Sequence, residues 1–165
     1  MEKLIASINA PYPLTAPKRD IRDARLLQDL FGGRASETTA IMQYCFQSYV
    51  LRSARPGLAD LLVAIAKVEM HHHELLGEAI FGCGKPPLIA SNCCFWSASA
   101  VDWSEDAVNV LERDIADETR AVQAYERAAK LVRSPPLSAL LVRIAEDERL
   151  HVTLLTDALK TVTAK

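Results

Sequence analysis

Two four-residue words in the chain could do chemistry together: Glu69-Met70-His71-His72 and Glu148-Arg149-Leu150-His151, both of the form Glu-x-x-His. Three residues turn an α-helix through about 300°, so each Glu and its His project from one face, a turn apart. A lone glutamate precedes each word, Glu37 by 32 residues and Glu118 by 30. Four carboxylates buried together are intolerable unless protonated or neutralised. Two divalent cations would supply +4 against −4, with two neutral imidazoles completing the ligand set. Any one of these positions alone reads as an ordinary surface or ion-pair residue; the repeated pattern is what points to a metal site.

The lone glutamates share a context as well. Glu37-Thr38-Thr39-Ala40-Ile41-Met42-Gln43-Tyr44 matches Glu118-Thr119-Arg120-Ala121-Val122-Gln123-Ala124-Tyr125 as Glu-Thr-x-Ala-(Ile/Val)-x-x-Tyr. Tyr44 and Tyr125 fall two turns beyond their Glu on the same face. The chain therefore reads as one helical hairpin used twice, offset by about eighty residues.

The elements that must position these residues are amphipathic helices. Residues 1–19 carry Pro11, Pro13 and Pro17 and read as an extended arm, packed along the domain or a partner, ahead of a single domain over 20–165. Helical patterning runs from about Asp20 to Ser53. Gly32-Gly33 interrupts it, as one weakened helix or as a short helix before a longer one. Its inward stripe is Leu30, Glu37, Ile41, Tyr44 and Leu51. The second helix, about 58–82, carries Leu62, Ile65, Glu69, His72, Leu76 and Ile80 at spacings of three and four. A connection of about twenty residues follows, long for a compact domain. Fully extended it spans roughly 60 Å, the reach of a crossover along a bundle. Ser104 is the expected N-cap of the third helix, about 104–133, with Val108, Leu111, Ile115, Glu118, Val122, Tyr125, Ala129 and Val132 inward. The fourth, about 136–162, carries Leu137, Leu141, Ile144, Glu148, His151 and Leu155. Nothing reads as a strand, so the fold class is all-α: a four-helix bundle of two hairpins joined by a long crossover.

Heights along the bundle agree. From the turn near residue 55, Glu37 lies 18 residues back and Glu69 to His72 lie 14–17 forward; from the turn near 135, Glu118 lies 17 back and Glu148 to His151 lie 13–16 forward. Antiparallel hairpins bring such residues to one interior level.

Bulk properties restrict the alternatives. A length of 165 residues suits one domain, and half the residues are hydrophobic with a net charge of −2, which argues against disorder and against nucleic-acid binding. No apolar run approaches a membrane span, and the N-terminus lacks a signal-peptide pattern, so a cytoplasmic location is expected. Cys45, Cys83, Cys93 and Cys94 contain no Cys-x-x-Cys pair and read as reduced thiols.

On these residues the chain resembles the ferritin-like superfamily, nearest the rubrerythrin-type di-metal domains, over about 20–162. A Glu from each of two helices and a Glu-x-x-His from each of the other two is the ligand pattern of such bundles. The resemblance implies that Glu37, Glu69, His72, Glu118, Glu148 and His151 hold two metal ions, with Glu69 and Glu148 bridging. It implies O₂ or hydrogen peroxide as substrate, an unidentified electron donor, iron as the metal and a ferroxidase or peroxidase activity. Rubrerythrin-like sites carry a further Glu one turn after the third-helix ligand; here that position is Ala121, and the rubredoxin-like domain is missing. Manganese and peroxide disproportionation, as in manganese catalases, are the alternative. A non-enzymatic metal-binding or assembly module, holding zinc, is another. The short fifth helix of cage-forming ferritins is not seen, so a storage shell is not expected and a homodimer is the default.

Around these residues, Asp147 can accept the free N–H of a ligand imidazole, with His72 the expected donor. Tyr44 and Tyr125 can reach ligand carboxylates across the bundle. His73 is a geometric rival to His72, disfavoured because His151 sets the three-residue precedent. His71 is expected to be exposed, and Glu74, Glu112, Asp114 and Glu146 to form a solvated face, with Asp114 close enough to Glu118 to be a neighbour. Trp96 and Trp103 are expected to anchor the crossover.

Overall fold

The computed structural model describes residues 6–13 and 17–164. The remaining residues of the proline-containing arm lie outside that range. Helical residues dominate, in the order α1 (Ile21–Gly32), α2 (Glu37–Leu51), α3 (Pro56–Gly82), a 3₁₀ turn (Ala98–Ala100), α4 (Ala107–Leu131) and α5 (Pro135–Thr163). α2 and α3 form one hairpin and α4 and α5 the other; together they make the four-helix bundle, with α1 laid mainly on α3. No helix among the described residues is long and apolar enough to cross a membrane.

Gly32-Gly33 resolves into a break between two helices. Asp20 caps α1, accepting from the Arg22 N–H, and Ser36 stands at the N-cap position of α2. Pro56 and Pro135 open α3 and α5 within the first turn, where the missing N–H costs nothing. At the end of α3, Gly84 adopts φ +91°, a left-handed conformation that L side chains rarely take up. It lets Lys85 N–H reach Ile80 C=O at 3.2 Å and Gly84 N–H reach Phe81 C=O at 2.9 Å, which closes the helix. α4 starts later than expected. Asp106, not Ser104, is its N-cap, its carboxylate accepting from the Val108 and Asn109 N–H groups at 3.1 and 3.0 Å.

The crossover is pinned across α1 and α2. Gln28 Nε2 donates to the Leu88 and Ala90 carbonyls, the Trp96 indole to Thr39 Oγ1 at 2.9 Å, and the Asp102 N–H to Gln43 Oε1 at 2.8 Å. Trp103 sits edge-on to Phe46 but stays half exposed. Within this connection Ala90 and Phe95 make an isolated antiparallel bridge.

The apolar interior forms two clusters. One gathers α1, the later half of α3 and the turn between α4 and α5, around Leu27, Phe31, Leu76, Ile80, Leu137 and Leu141. The other lies toward the α2–α3 turn, around Tyr44, Leu62, Ile65, Leu111 and Leu155. Each fully buried Leu or Ile contributes about 1.5–3 kcal/mol of transfer free energy. The expected stripe residues of α3 and α5 are all buried. Along α3, α4 and α5 the glutamates and histidines come between the two clusters in sequence, and Glu37 opens α2 ahead of its Tyr44 and Leu51.

Gly32 is where the crossover touches α1: a Cβ there would stand 2.6 Å from the Ala90 nitrogen and 2.9 Å from the Leu88 carbonyl oxygen. Backbone cannot yield as a side chain does. Gly32→Ala is therefore expected to cost about 1–3 kcal/mol by overpacking, read as a lower urea midpoint with an unchanged slope; an unchanged midpoint would show that the crossover does not bear on α1.

Candidate metal centre

The six polar residues singled out in the sequence meet in the bundle interior, each at most 4% exposed. They fall into two overlapping sets. Glu37, Glu69, His72 and Glu148 present ligand atoms within 4.8 Å of one another, and so do Glu69, Glu118, Glu148 and His151. Glu69 and Glu148 belong to both. His72 Nδ1 lies 3.2 Å from Glu69 Oε2 and 3.2 Å from Glu148 Oε1. His151 Nδ1 lies 2.9 Å from Glu69 Oε1 and 3.1 Å from Glu148 Oε2. Each shared carboxylate thus offers one oxygen to each side, while Glu37 Oε2 (3.9 Å from His72) and Glu118 Oε1 (3.7 Å from His151) close the two ends.

Both imidazoles turn Nδ1 inward and anchor Nε2 outward. His72 Nε2 donates to Asp147 Oδ2 at 3.1 Å, and His151 Nε2 to the Ala6 carbonyl at 3.1 Å. A proton held on Nε2 leaves the Nδ1 lone pair free for a cation. The two end glutamates are held reciprocally across the bundle. The Tyr44 hydroxyl on α2 donates to Glu118 on α4, and the Tyr125 hydroxyl on α4 donates to Glu37 on α2. Burial, and then the carboxylate each faces, push both phenols well up, so they remain donors.

Burial, reinforced by Glu69 and Glu148, pushes Glu37 and Glu118 well above the usual carboxylate range. Burial acts the same way on Glu69, but His151, together with Glu37 and His72, outweighs it and holds Glu69 well below that range. Burial opposes charge on His72 and His151, yet the surrounding carboxylates hold both well above an ordinary imidazole. By itself this set would have to share protons. Glu37 Oε2, Glu69 Oε1 and Glu148 Oε1 are buried and accept no hydrogen bond. Orphaned carboxylate oxygens pointing at shared space, with two inward imidazole nitrogens, fit divalent cations with oxygen and nitrogen preference.

Around Asp147, the surrounding shell left little trace in the sequence. Asp147 is fixed from four directions: by Ile8 N–H at 2.7 Å, by the Tyr12 and Ser7 hydroxyls, and by Arg143 Nη1 at 2.8 Å. Burial would raise its carboxyl, but His72, Tyr12, Ile8 and Arg143 together hold it well below the usual range. Arg143 also donates to the Ile8 and Ala10 carbonyls and lies 4.3 Å over the Tyr12 ring. Residues 6–13 of the arm therefore form the outer wall of the site. The one sequence hint was the i,i+4 spacing of Arg143 and Asp147.

Two expectations change, those for Asp114 and His71, while His73 lies off the site as expected. Asp114 is fully buried, not solvated: Gln43 and Gln47 Nε2 donate to its Oδ1 at 2.9 and 3.0 Å. His71 is half-buried, edge-on to Tyr12 with ring centroids 4.9 Å apart. His73 stacks on Phe31 at 3.9 Å, away from the site, and burial lowers its basicity.

A cavity of about 500 Å³ opens between α2 and α4 and ends on Glu37, Glu69, Glu118 and Glu148, with Tyr44 and Tyr125 beside them. Ala40, Ala121 and Ala124 line its walls, and Arg34, Arg113, Asp117, Arg120 and Arg127 its mouth.

These features define a class: a four-helix bundle with a buried di-metal carboxylate–imidazole cage. Known proteins agree. The family model of manganese containing catalase matches residues 11–86. A probable manganese catalase of Clostridium acetobutylicum is 28% identical over 161 residues, covering 84% of this chain and 71% of its own. The bacterioferritin of Desulfovibrio desulfuricans is 30% identical over 142 residues, covering 84% of this chain and 76% of its own. The crystal structure of a manganese catalase from Anabaena superposes with a TM-score of 0.85 at 26% identity, over 94% of this chain and 80% of that one. The chain belongs to the ferritin-like superfamily of di-metal carboxylate helical bundles.

Asp114 makes stability depend on pH. Burial, opposed by Gln47 and Gln43, raises its carboxyl to about 7. The unfolded chain releases this proton near pH 4, whereas the native state keeps it to about 7. Its contribution is therefore complete below about pH 4 and lost as pH rises through 7. Relative to Asp114→Asn, the wild type should lose up to about 4 kcal/mol between pH 4 and 8. Urea unfolding of both proteins at those pH values checks this; a constant difference would mean that Asp114 is ionised throughout.

Proposed function

We propose that the chain is a manganese-dependent oxidoreductase of hydrogen peroxide, disproportionating it to oxygen and water. The observation that carries this reading is the paired arrangement in which Glu69 and Glu148 each face both histidines. In it Glu37, Glu69, His72 and Glu148 would hold one ion, and Glu69, Glu118, Glu148 and His151 the second. Two divalent ions of this kind, when bound, supply two-electron redox chemistry by changing oxidation state together. The protein's part is to keep four carboxylates ionised around them, to keep both imidazoles with the proton on Nε2, and to hold Glu37 and Glu118 in place through Tyr125 and Tyr44.

Manganese is favoured over iron by the likeness to manganese catalases and by the mouth of the cavity. A ferroxidase must admit a metal cation at every turnover. This mouth carries four arginines against one aspartate, which repels cations and leaves neutral peroxide free to enter. One turn after the α4 ligand Glu118 stands Ala121, so no further carboxylate is added there. Iron is the second reading, supported by 30% identity to a bacterioferritin.

Protein produced with iron and manganese both available should carry about two manganese ions per chain and evolve oxygen from peroxide. Two irons with ferrous oxidation would select the second reading, and zinc without redox turnover would make the cage structural. Glu69→Ala combined with Glu148→Ala should abolish stoichiometric binding; two ions retained per chain would overturn the ligand assignment. Asp147→Asn should weaken binding about 10–100-fold while leaving the fold intact, because His72 loses its anionic partner. Metal titration followed by circular dichroism separates the two effects.

A further inference from the structure

The cavity between α2 and α4 is far larger than peroxide requires. A water-sized molecule occupies about 30 Å³, against about 500 Å³ here, a volume in the range of pockets that hold organic ligands. Its chemistry is graded along its length. The floor is carboxylate. The throat is small and apolar, built by Leu30, Ala40, Ala121 and Ala124. The mouth is cationic: Arg113 Nε and Arg120 Nη2 both engage Asp117, Arg34 Nη2 rests on the Ser99 carbonyl at 3.2 Å, and Arg127 is exposed. With one aspartate among four arginines, the mouth keeps an excess of positive charge.

We propose that this cavity binds a small organic carboxylate with an unbranched apolar chain, its anionic head at Arg34 and Arg127 and its tail along the alanine-lined throat. The orientation follows from charge. The guanidinium donors that match a carboxylate stand at the mouth, whereas the floor offers no donor side chain, only Glu37, Glu69, Glu118 and Glu148, whose charge the two ions would balance. The absence of side-chain bulk at positions 40, 121 and 124 keeps the throat open. A Glu at position 121 would place a carboxylate where the apolar tail has to pass. The tail end of such a molecule reaches the di-metal centre, an inference that rests on the reading above, whereas binding itself needs only the cavity.

Octanoate is a direct probe, and octylamine is its charge-reversed control. Calorimetric titration of the metal-loaded protein should show one octanoate per chain and no octylamine. Arg34→Gln with Arg127→Gln should weaken octanoate on the order of tenfold, and Ala121→Glu should abolish binding. Ala40→Leu, which fills the throat without adding charge, should do the same and covers the case in which Ala121→Glu fails to fold. Metal content of the arginine variant and of Ala40→Leu should not change. No octanoate binding by the wild type, or binding that survives both throat substitutions, would overturn the assignment. Octanoate binding by protein that takes up no metal would instead overturn the di-metal reading and leave the ligand site standing.

Discussion

Four carboxylates enclosed between two apolar clusters form the constraint to which the rest of the structure answers. Desolvation of a single ionised carboxylate costs several kcal/mol, and four at one level would unfold a bundle of this size unless their charge were met. The chain meets part of it locally. His72 and His151 stand one turn from Glu69 and Glu148, and each phenol of Tyr44 and Tyr125 serves an end glutamate of the other hairpin. What these groups leave unsatisfied are carboxylate oxygens directed at common space, and two divalent ions are the economical solution. Metal binding and folding are then one thermodynamic problem, since the unfolded chain presents no such cage.

The two halves of the cage are alike in their ligands and different in their support. The His72 side is backed by a carboxylate that Arg143 and the arm hold ionised; the His151 side is backed by a neutral carbonyl of the arm, that of Ala6. An anionic partner makes an imidazole a stronger donor than a neutral one does. The repeated hairpin pattern therefore supplies the ligands in pairs, and a single non-repeated segment makes the pair unequal.

Access has its own logic. α2 and α4 are bridged at the floor by the two tyrosine–glutamate contacts, and above that level small residues leave the cavity between them. The wall facing the arm is sealed by Ala6, Ser7 and Tyr12. The cavity thus meets the carboxylate side of the cage, while the outer nitrogens of both histidines are buried and hydrogen-bonded to Asp147 and to the arm.

The sequence by itself determined what is local and periodic: four bundle helices, their inward stripes, the two Glu-x-x-His faces and the matching heights that bring six residues to one level. These follow from 3.6 residues per turn and from the distance of each residue to its hairpin turn. Tertiary structure decided whatever depends on which surfaces meet. Asp114 read as one acid among several on a polar face until Gln43 and Gln47 of α2 closed over it. Tyr12 and Ala6 sit in a proline-flanked stretch with no period, more than 130 residues from Asp147 and His151. No local rule links an aperiodic segment to a helix so distant in the chain; only the packed bundle, with Arg143 reaching back to the arm's carbonyls, brings them together.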